Sequence, residues 1–281
     1  MKKILIPTDF SKNADQAIDY ALNLFRCSRS HFYFIHAYAD EVYEIGKSKS
    51  KIDLDIIKNE LESNAKLALE NTLARIQDPI PNPMHNYSIE VVFESLVDSV
   101  NNLVDKENID LVIMGTKGAT MKKTTSFGSN TVQVFKYVKC PVLAIPENYQ
   151  YQEPKHILFP TDYQLPYKRR ELKLLDNIAG FFKSEVHCVY FTNFDNLSHR
   201  QEDNKRFAEG TLSRSYLFFE NLKAKDVLGG ISDYREKHKV DMLVMINSRH
   251  SFMEDLLYRS TVDKMGLNTD VPLMVMQNIA R

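Results

Sequence analysis

The chain is poor in glycine and cysteine, has no long apolar run, and carries no excess charge of either sign. Each shortage excludes something. The three cysteines, Cys27, Cys140 and Cys188, lie far apart without a CxxC pair. That pattern excludes a disulfide framework and a zinc knuckle, and it fits a reducing compartment. Each cysteine is expected to be a small buried hydrophobe. Nothing approaches 18 consecutive apolar residues, so no transmembrane helix and no membrane partner are expected. The N-terminal apolar run stops at Pro7-Thr8-Asp9, too soon for a secretion signal. A cytoplasmic location is therefore expected. Lys and Arg number 36 against 37 Asp and Glu, split 17 to 19 up to residue 150 and 19 to 18 beyond it. Neither half is basic, which argues against a nucleic-acid partner. The eight histidines show no ligand spacing, so no metal site is expected, and no G-x-S-x-G or Cys/His pattern suggests a nucleophile.

At 43% hydrophobic and 26% charged the chain is of ordinary globular composition. Its 281 residues suffice for two domains at about 150 residues each. Short apolar runs alternate with helical periodicity. Lys3–Ile6 reads as a strand, and Ser11 as the N-cap of a helix with Ala14, Ala17, Ile18, Ala21, Leu22 and Phe25 on one face. Phe32–Ala37 is a second strand, and residues 40–51 a polar stretch. A second helix has Leu54, Ile57, Leu61, Ala65, Ala68, Thr72 and Ile76 at helical spacing. Ile89–Phe93 is a strand, Leu96–Val104 a helix and Leu111–Met114 a strand; a loop then leads to a helix with Val132, Phe135 and Val138, and Pro141–Ile145 is the last strand. Such alternation implies βαβ units and a parallel sheet with helices on both faces.

The order then repeats. Lys155-His-Ile-Leu-Phe-Pro-Thr-Asp162 echoes Lys2-Lys-Ile-Leu-Ile-Pro-Thr-Asp9 at an offset of 153. Val240–Met245 echoes Ile109–Met114, and Pro272–Met276 echoes Pro141–Ile145, both at an offset of 131. The second copy is thus 22 residues shorter between its first and fourth strands, and the cut is expected after Phe191, in the second helix. The expected layout is a domain over 1–146, a polar linker over 147–154, and a shorter domain over 155–281.

Only nine glycines occur, yet Gly115, Gly118 and Gly128 fall between the fourth strand and its helix. Such a loop lets backbone amides approach a ligand and leads it to a helix N-terminus, which favours phosphate. Ser129 and Asn130 open that helix, and Lys117, Lys122 and Lys123 add positive charge. A strand end, a helix cap and a solvated lysine face would explain the same residues without a ligand. The spacing is neither that of a P-loop nor that of a dinucleotide fold.

Gly115-x2-Gly118-x9-Gly128-Ser129 resembles the nucleotide-binding signature of the universal stress protein family, G-x2-G-x9-G-[ST]. Ile4–Asp9, Phe34-Ile-His-Ala37 and Lys139-Cys-Pro-Val142 resemble its other landmarks, and the whole chain resembles the tandem two-domain members. The resemblance implies two Rossmann-like domains of the adenine nucleotide alpha hydrolase type, each an open parallel five-stranded sheet of order 3-2-1-4-5. It implies ATP as ligand, with Mg²⁺ arriving on the nucleotide. Asp9 would face the nucleoside and Ala37 would meet adenine through its backbone. Pro7, Thr8 and Met114 would line the adenosine side, while Gly115, Lys117, Gly118, Gly128, Ser129 and Asn130 would hold phosphates. Lys117 stands where the family often has His.

In the second copy the offset puts Ile246, Arg249 and Arg259 at the three glycine positions and Ser260 at Ser129; Asp162 stands at Asp9. Bulky side chains would resist any positive φ and fill the phosphate space. This copy is therefore expected not to bind ATP in the family manner. Arg249, His250 and Arg259 could form another anion site, or the arginines could pair with Glu254 and Asp255. Three functions stay open: a regulatory ATP-binding module whose second domain serves assembly, a slow ATPase, and an interaction protein without nucleotide. For assembly, the resemblance implies an intramolecular pseudo-dimer, with Leu143 and Ile145 facing Met274 and Met276, or a homodimer. No catalytic residue is expected, because residues 115–130 contain no Asp, Glu or His.

Overall fold

The computed structural model describes residues 1–47, 51–78, 80–118, 127–193, 196–248, 253 and 270–278. The chain divides into two compact units, Met1–Asn148 and Tyr149–Arg281.

The first unit runs β1 (Lys2–Pro7), α1 (Lys12–Leu24), β2 (Ser30–Ala37), α2 (Ala39–Ile45), α3 (Lys51–Gln77), β3 (His85–Val92), α4 (Leu96–Glu107), β4 (Leu111–Gly115), α5 (Ser129–Tyr137) and β5 (Val142–Ile145). The strands are parallel in the order β3-β2-β1-β4-β5. Ile4, Leu5 and Ile6, and Leu111, Val112 and Ile113, are fully buried. Strands covered on both faces lose the alternation of an exposed sheet and become continuous apolar runs. Helix α1 packs on β1, β4 and β5, and α4 on β1 and β2. Ser11 caps α1 by accepting from the Ala14 amide at 3.2 Å, and the residues at helical spacing behind it, Ala14, Ala17, Ile18, Ala21 and Leu24, are buried. The chain leaves β1 toward β2 and leaves β4 toward β5. A crevice therefore opens between the carboxyl ends of β1 and β4, where open α/β sheets receive ligands.

Three local expectations need correction. The polar stretch over 40–51 contains α2, a short helix held by buried Ala39 and Val42 and started by Asp40 and Glu41 in its first turn. Strand β3 begins four residues before Ile89, because His85 is buried and bonds the Phe25 carbonyl through Nε2 at 3.0 Å. Cys27 is exposed in the turn after α1, unlike buried Cys140 and Cys188.

The second unit runs β6 (His156–Pro160), α6 (Arg169–Phe182), β7 (Glu185–Phe191), α7 (His199–Thr211), β8 (Tyr216–Leu222), α8 (Val227–Lys237), β9 (Met242–Asn247) and β10 (Leu273–Gln277). Its parallel order, β8-β7-β6-β9-β10, repeats that of the first. The repeat extends to register: Ile4 pairs Leu111 as Ile157 pairs Met242. It extends to hydrogen bonds as well. The Lys3 amide donates to Asp110 Oδ2 at 3.0 Å, and the His156 amide to Asp241 Oδ2 at 3.0 Å. The length difference falls where expected, since α7 has 13 residues against 27 in α3. Among the described residues no helix is long and apolar enough to cross a membrane.

Candidate functional site

The turn from β1 into α1 is built from side chains bonding their own backbone. Thr8 Oγ1 accepts from the Phe10 amide at 3.0 Å, and Asp9 Oδ1 from the Ser11 amide at 3.1 Å. These bonds hold Phe10 at a φ of 60°, unusual for a residue with a Cβ. The second unit does the same with Thr161, Asp162 and Tyr163, whose φ is 55°. Part of the Pro-Thr-Asp signal is therefore turn chemistry, present in both copies.

On the other side of the crevice, Asn13 reaches from α1 across the end of the sheet. Its Nδ2 donates to the Ile145 carbonyl at 3.1 Å, and its Oδ1 accepts from the Lys117 amide at 3.0 Å. A Cβ on Gly115 would lie 2.6 Å from that Oδ1, and a Cβ on Gly118 would lie 2.9 Å from Asp9 Oδ2. Among the described residues no glycine has a positive φ. Close approach, not left-handed backbone, is what requires Gly115 and Gly118. Gly128, in extended backbone, precedes α5 and provides no side-chain cap. Its amide donates to the Thr116 carbonyl at 2.8 Å, and Thr131 Oγ1 donates to the Thr116 carbonyl at 3.0 Å. Those bonds fix the first turn of α5 against the end of β4.

The result is a cavity of about 120 Å³. Pro7, Thr8, Asp9, Ala37, Met114, Gly115, Lys117, Gly118 and Asn130 line it; Gly128 and Ser129 do not. Sequence reading missed His36, Asp40, Glu41 and Thr131 in the same wall. His36 is buried, donates from Nδ1 to the Thr8 carbonyl at 2.8 Å, and lies 3.7 Å from Glu41 through Nε2. Asp40 and Glu41 were hidden with α2, the helix read as a polar stretch; their signal is two acids ahead of a buried Val42. Asp9 is thus one of three carboxylates in the wall, not the single one. In the same wall, the Lys117 ammonium pairs with Glu147 at 3.4 Å. Among the described residues no group of three His, Cys, Asp or Glu side chains could hold a metal ion.

A family model described as Universal stress protein family matches residues 1–146. The chain belongs to the universal stress protein family. Universal stress protein MJ0577 of Methanocaldococcus jannaschii is 26% identical over 157 residues, covering 51% of this chain and 94% of its own. Universal stress protein MJ0531 of the same organism is 26% identical over 144 residues, covering 51% and 81%. Over nearly the whole chain, the crystal structure of a universal stress protein from Archaeoglobus fulgidus aligns with a TM-score of 0.69 at 16% identity, covering 98% of this chain and 96% of that one. That likeness establishes the universal stress protein fold, a Rossmann-like α/β fold, across both units.

In this universal stress protein Lys122 and Lys123 lie outside the described residues. So do Arg249, His250, Glu254, Asp255, Arg259 and Ser260 of the second copy; Ile246, at the Gly115 position, is half-buried at the end of β9.

Proposed function

We propose that the first unit binds an adenine nucleotide, ATP, in the crevice between β1 and β4, and that the protein works as a nucleotide-responsive regulatory module of a stress response. One observation carries this reading: the first end of the glycine signature, Gly115 to Gly118, and Asn130, just past its second end, meet Asp9 and Ala37 around one cavity. The chemistry of the wall supports it. The first turn of α5 faces the cavity through Asn130 and Thr131, and helix N-termini favour phosphate. Lys117 supplies a cation, and Gly118 leaves room beside Asp9. Carboxylates of Asp9, Asp40 and Glu41 would accept hydrogen bonds from ribose hydroxyls or an amino group. Mg²⁺ would come with the nucleotide, held mainly by phosphate oxygens and water. Residues 115–130 contain no Asp, Glu or His, so a general base would have to come from Asp9, His36, Asp40 or Glu41 of the same wall. The second unit, together with homodimer formation, is assigned to assembly, to be tested by sedimentation of the full chain.

The purified protein, denatured, should release about one ATP per chain on chromatography. A Gly118→Arg variant, which copies the second unit's residue, should release none. If neither protein releases nucleotide or binds added Mg-ATP, the reading gives way to a nucleotide-free interaction protein.

A further inference from the structure

The second unit also has a cavity at the carboxyl ends of β6 and β9, of about 320 Å³. Its floor repeats the first site, with Pro160, Thr161 and Asp162 for Pro7, Thr8 and Asp9. Its walls do not. The Thr8 amide bonds the Ile35 carbonyl as the Thr161 amide bonds that of Val189, so Tyr190 and Phe191 stand where His36 and Ala37 do. At the offset of 153, Tyr167 replaces Ala14. At the offset of 131, Ile246 replaces Gly115, Ser248 replaces Lys117, and Asn278 replaces Glu147. The first unit's Lys117–Glu147 ion pair thus becomes two neutral groups.

The offset also puts Arg249, outside the described residues, at the Gly118 position; the described changes bring in neutral and apolar groups. Among the described residues lining this cavity there is no cation, and Asp162 is the one carboxylate, its Oδ1 already accepting from the Gln164 amide at 2.9 Å. A phosphate against Ile246 and Phe191 would lose water, and no described lining residue supplies a counter-charge. Three aromatic rings and the Met245 and Met253 thioethers instead offer apolar and ring-edge contacts. The other polar side chains are neutral: Gln164, Ser248 and Asn278, and a Thr161 hydroxyl bonded to that of Tyr167. A mainly apolar cavity of roughly 300 Å³ or more with a few polar groups is the usual form of a small-molecule site.

We propose that the second unit binds a mainly apolar, ring-bearing small molecule in the cavity bounded by Tyr167, Phe191, Val227 and Ile246. The site is independent of nucleotide binding by the first unit. Val227, at the position of Leu96 in the first copy, and Leu165 at the rim give access to it by mutation.

N-phenyl-1-naphthylamine is a suitable probe: it is uncharged, it brightens on leaving water, and the chain has no tryptophan to interfere. With the full chain, we expect saturable binding of one probe per chain, unchanged by Mg-ATP or adenosine and unchanged in Gly118→Arg. Leu165→Arg places a charge at a position 37% exposed, so the fold tolerates it. Val227→Trp fills the cavity. Both should weaken the probe about tenfold or more while circular dichroism stays that of the parent. Absence of saturable binding, displacement by Mg-ATP or adenosine, or undiminished binding in both folded variants would overturn the proposal. Loss of ATP binding by the first unit, with probe binding intact, would overturn only the nucleotide reading.

Discussion

The Oδ1 of Asn13 lies where it would be 2.6 Å from a Cβ on Gly115, and it accepts a hydrogen bond from the Lys117 amide at 3.0 Å. One side chain on α1 thus makes one glycine of the signature necessary and positions the start of the loop. In the second unit Pro166 stands at the Asn13 position and Ile246 at the Gly115 position. With the amide gone, a large side chain fits at the end of β9.

Gly115→Ala should therefore destabilise the first unit by about 1–3 kcal/mol through overpacking. Asn13→Ala removes the clashing oxygen and should make the second substitution cheaper than it is alone. A double-mutant cycle by urea unfolding checks this; additive effects would show that the two residues do not interact as described.

Glu147 and a bound phosphate would compete for the Lys117 ammonium. Under the nucleotide proposal, Lys117→Ala should weaken ATP by about 1.5 kcal/mol, roughly tenfold, and leave adenosine little changed. Glu147→Gln should strengthen ATP, because it releases the ammonium from its partner. Calorimetric titration with both ligands separates these outcomes.

Asp9 has a structural duty apart from any ligand. Asp9→Asn keeps an acceptor for the Ser11 amide and should preserve stability, whereas Asp9→Ala should cost about 1 kcal/mol. Equal unfolding midpoints for the two variants would contradict this account of the turn.

His31 links stability to pH. Burial, aided by the Lys3 ammonium, holds its imidazole below the ordinary 6.5, while Nε2 bonds Ser88 at 2.8 Å across β2 and β3. Between that lowered value and 6.5 the unfolded chain binds more protons, so the contribution of His31 is complete above 6.5 and is lost as pH falls through this window. His31→Gln should flatten stability there. Urea midpoints at pH 7 and pH 5 for both proteins measure it, and parallel declines would show that His31 is not responsible.

The two copies share one acid, Asp110 and Asp241, but not its surroundings. Asp241 is 2% exposed, accepts from the His156 amide and from His156 Nδ1 at 2.9 Å, and lies 3.3 Å from the Lys239 ammonium. Asp241→Ala should cost about 1–3 kcal/mol by stranding these donors, and more than Asp110→Ala in the less buried first copy. Unfolding of each variant decides the order.

The sheet was legible because it is buried on both faces: Ile4–Ile6 and Leu111–Ile113 stay apolar without alternation, and their repeat at shifted spacing exposes the duplication. The shortened second helix was legible for the same reason, since two offsets differing by 22 residues locate a deletion. Helix α2 was not, because seven residues with two buried side chains leave too little periodicity. Strand β3 was not in its first half, because His85 and its neighbours are polar residues whose burial depends on partners in β2 and at Phe25.

By itself, then, the sequence determined the alternation of elements, the two copies, and the candidate residues of the glycine loop, all of which are local patterns of apolarity and backbone freedom. Tertiary structure decided why Gly115 and Gly118 are needed, which acids share a wall with Lys117, and which described residues line a second crevice. Those depend on side chains brought together from positions more than a hundred residues apart, such as Asn13 with Ile145 and Lys117. No spacing along the chain encodes such distances.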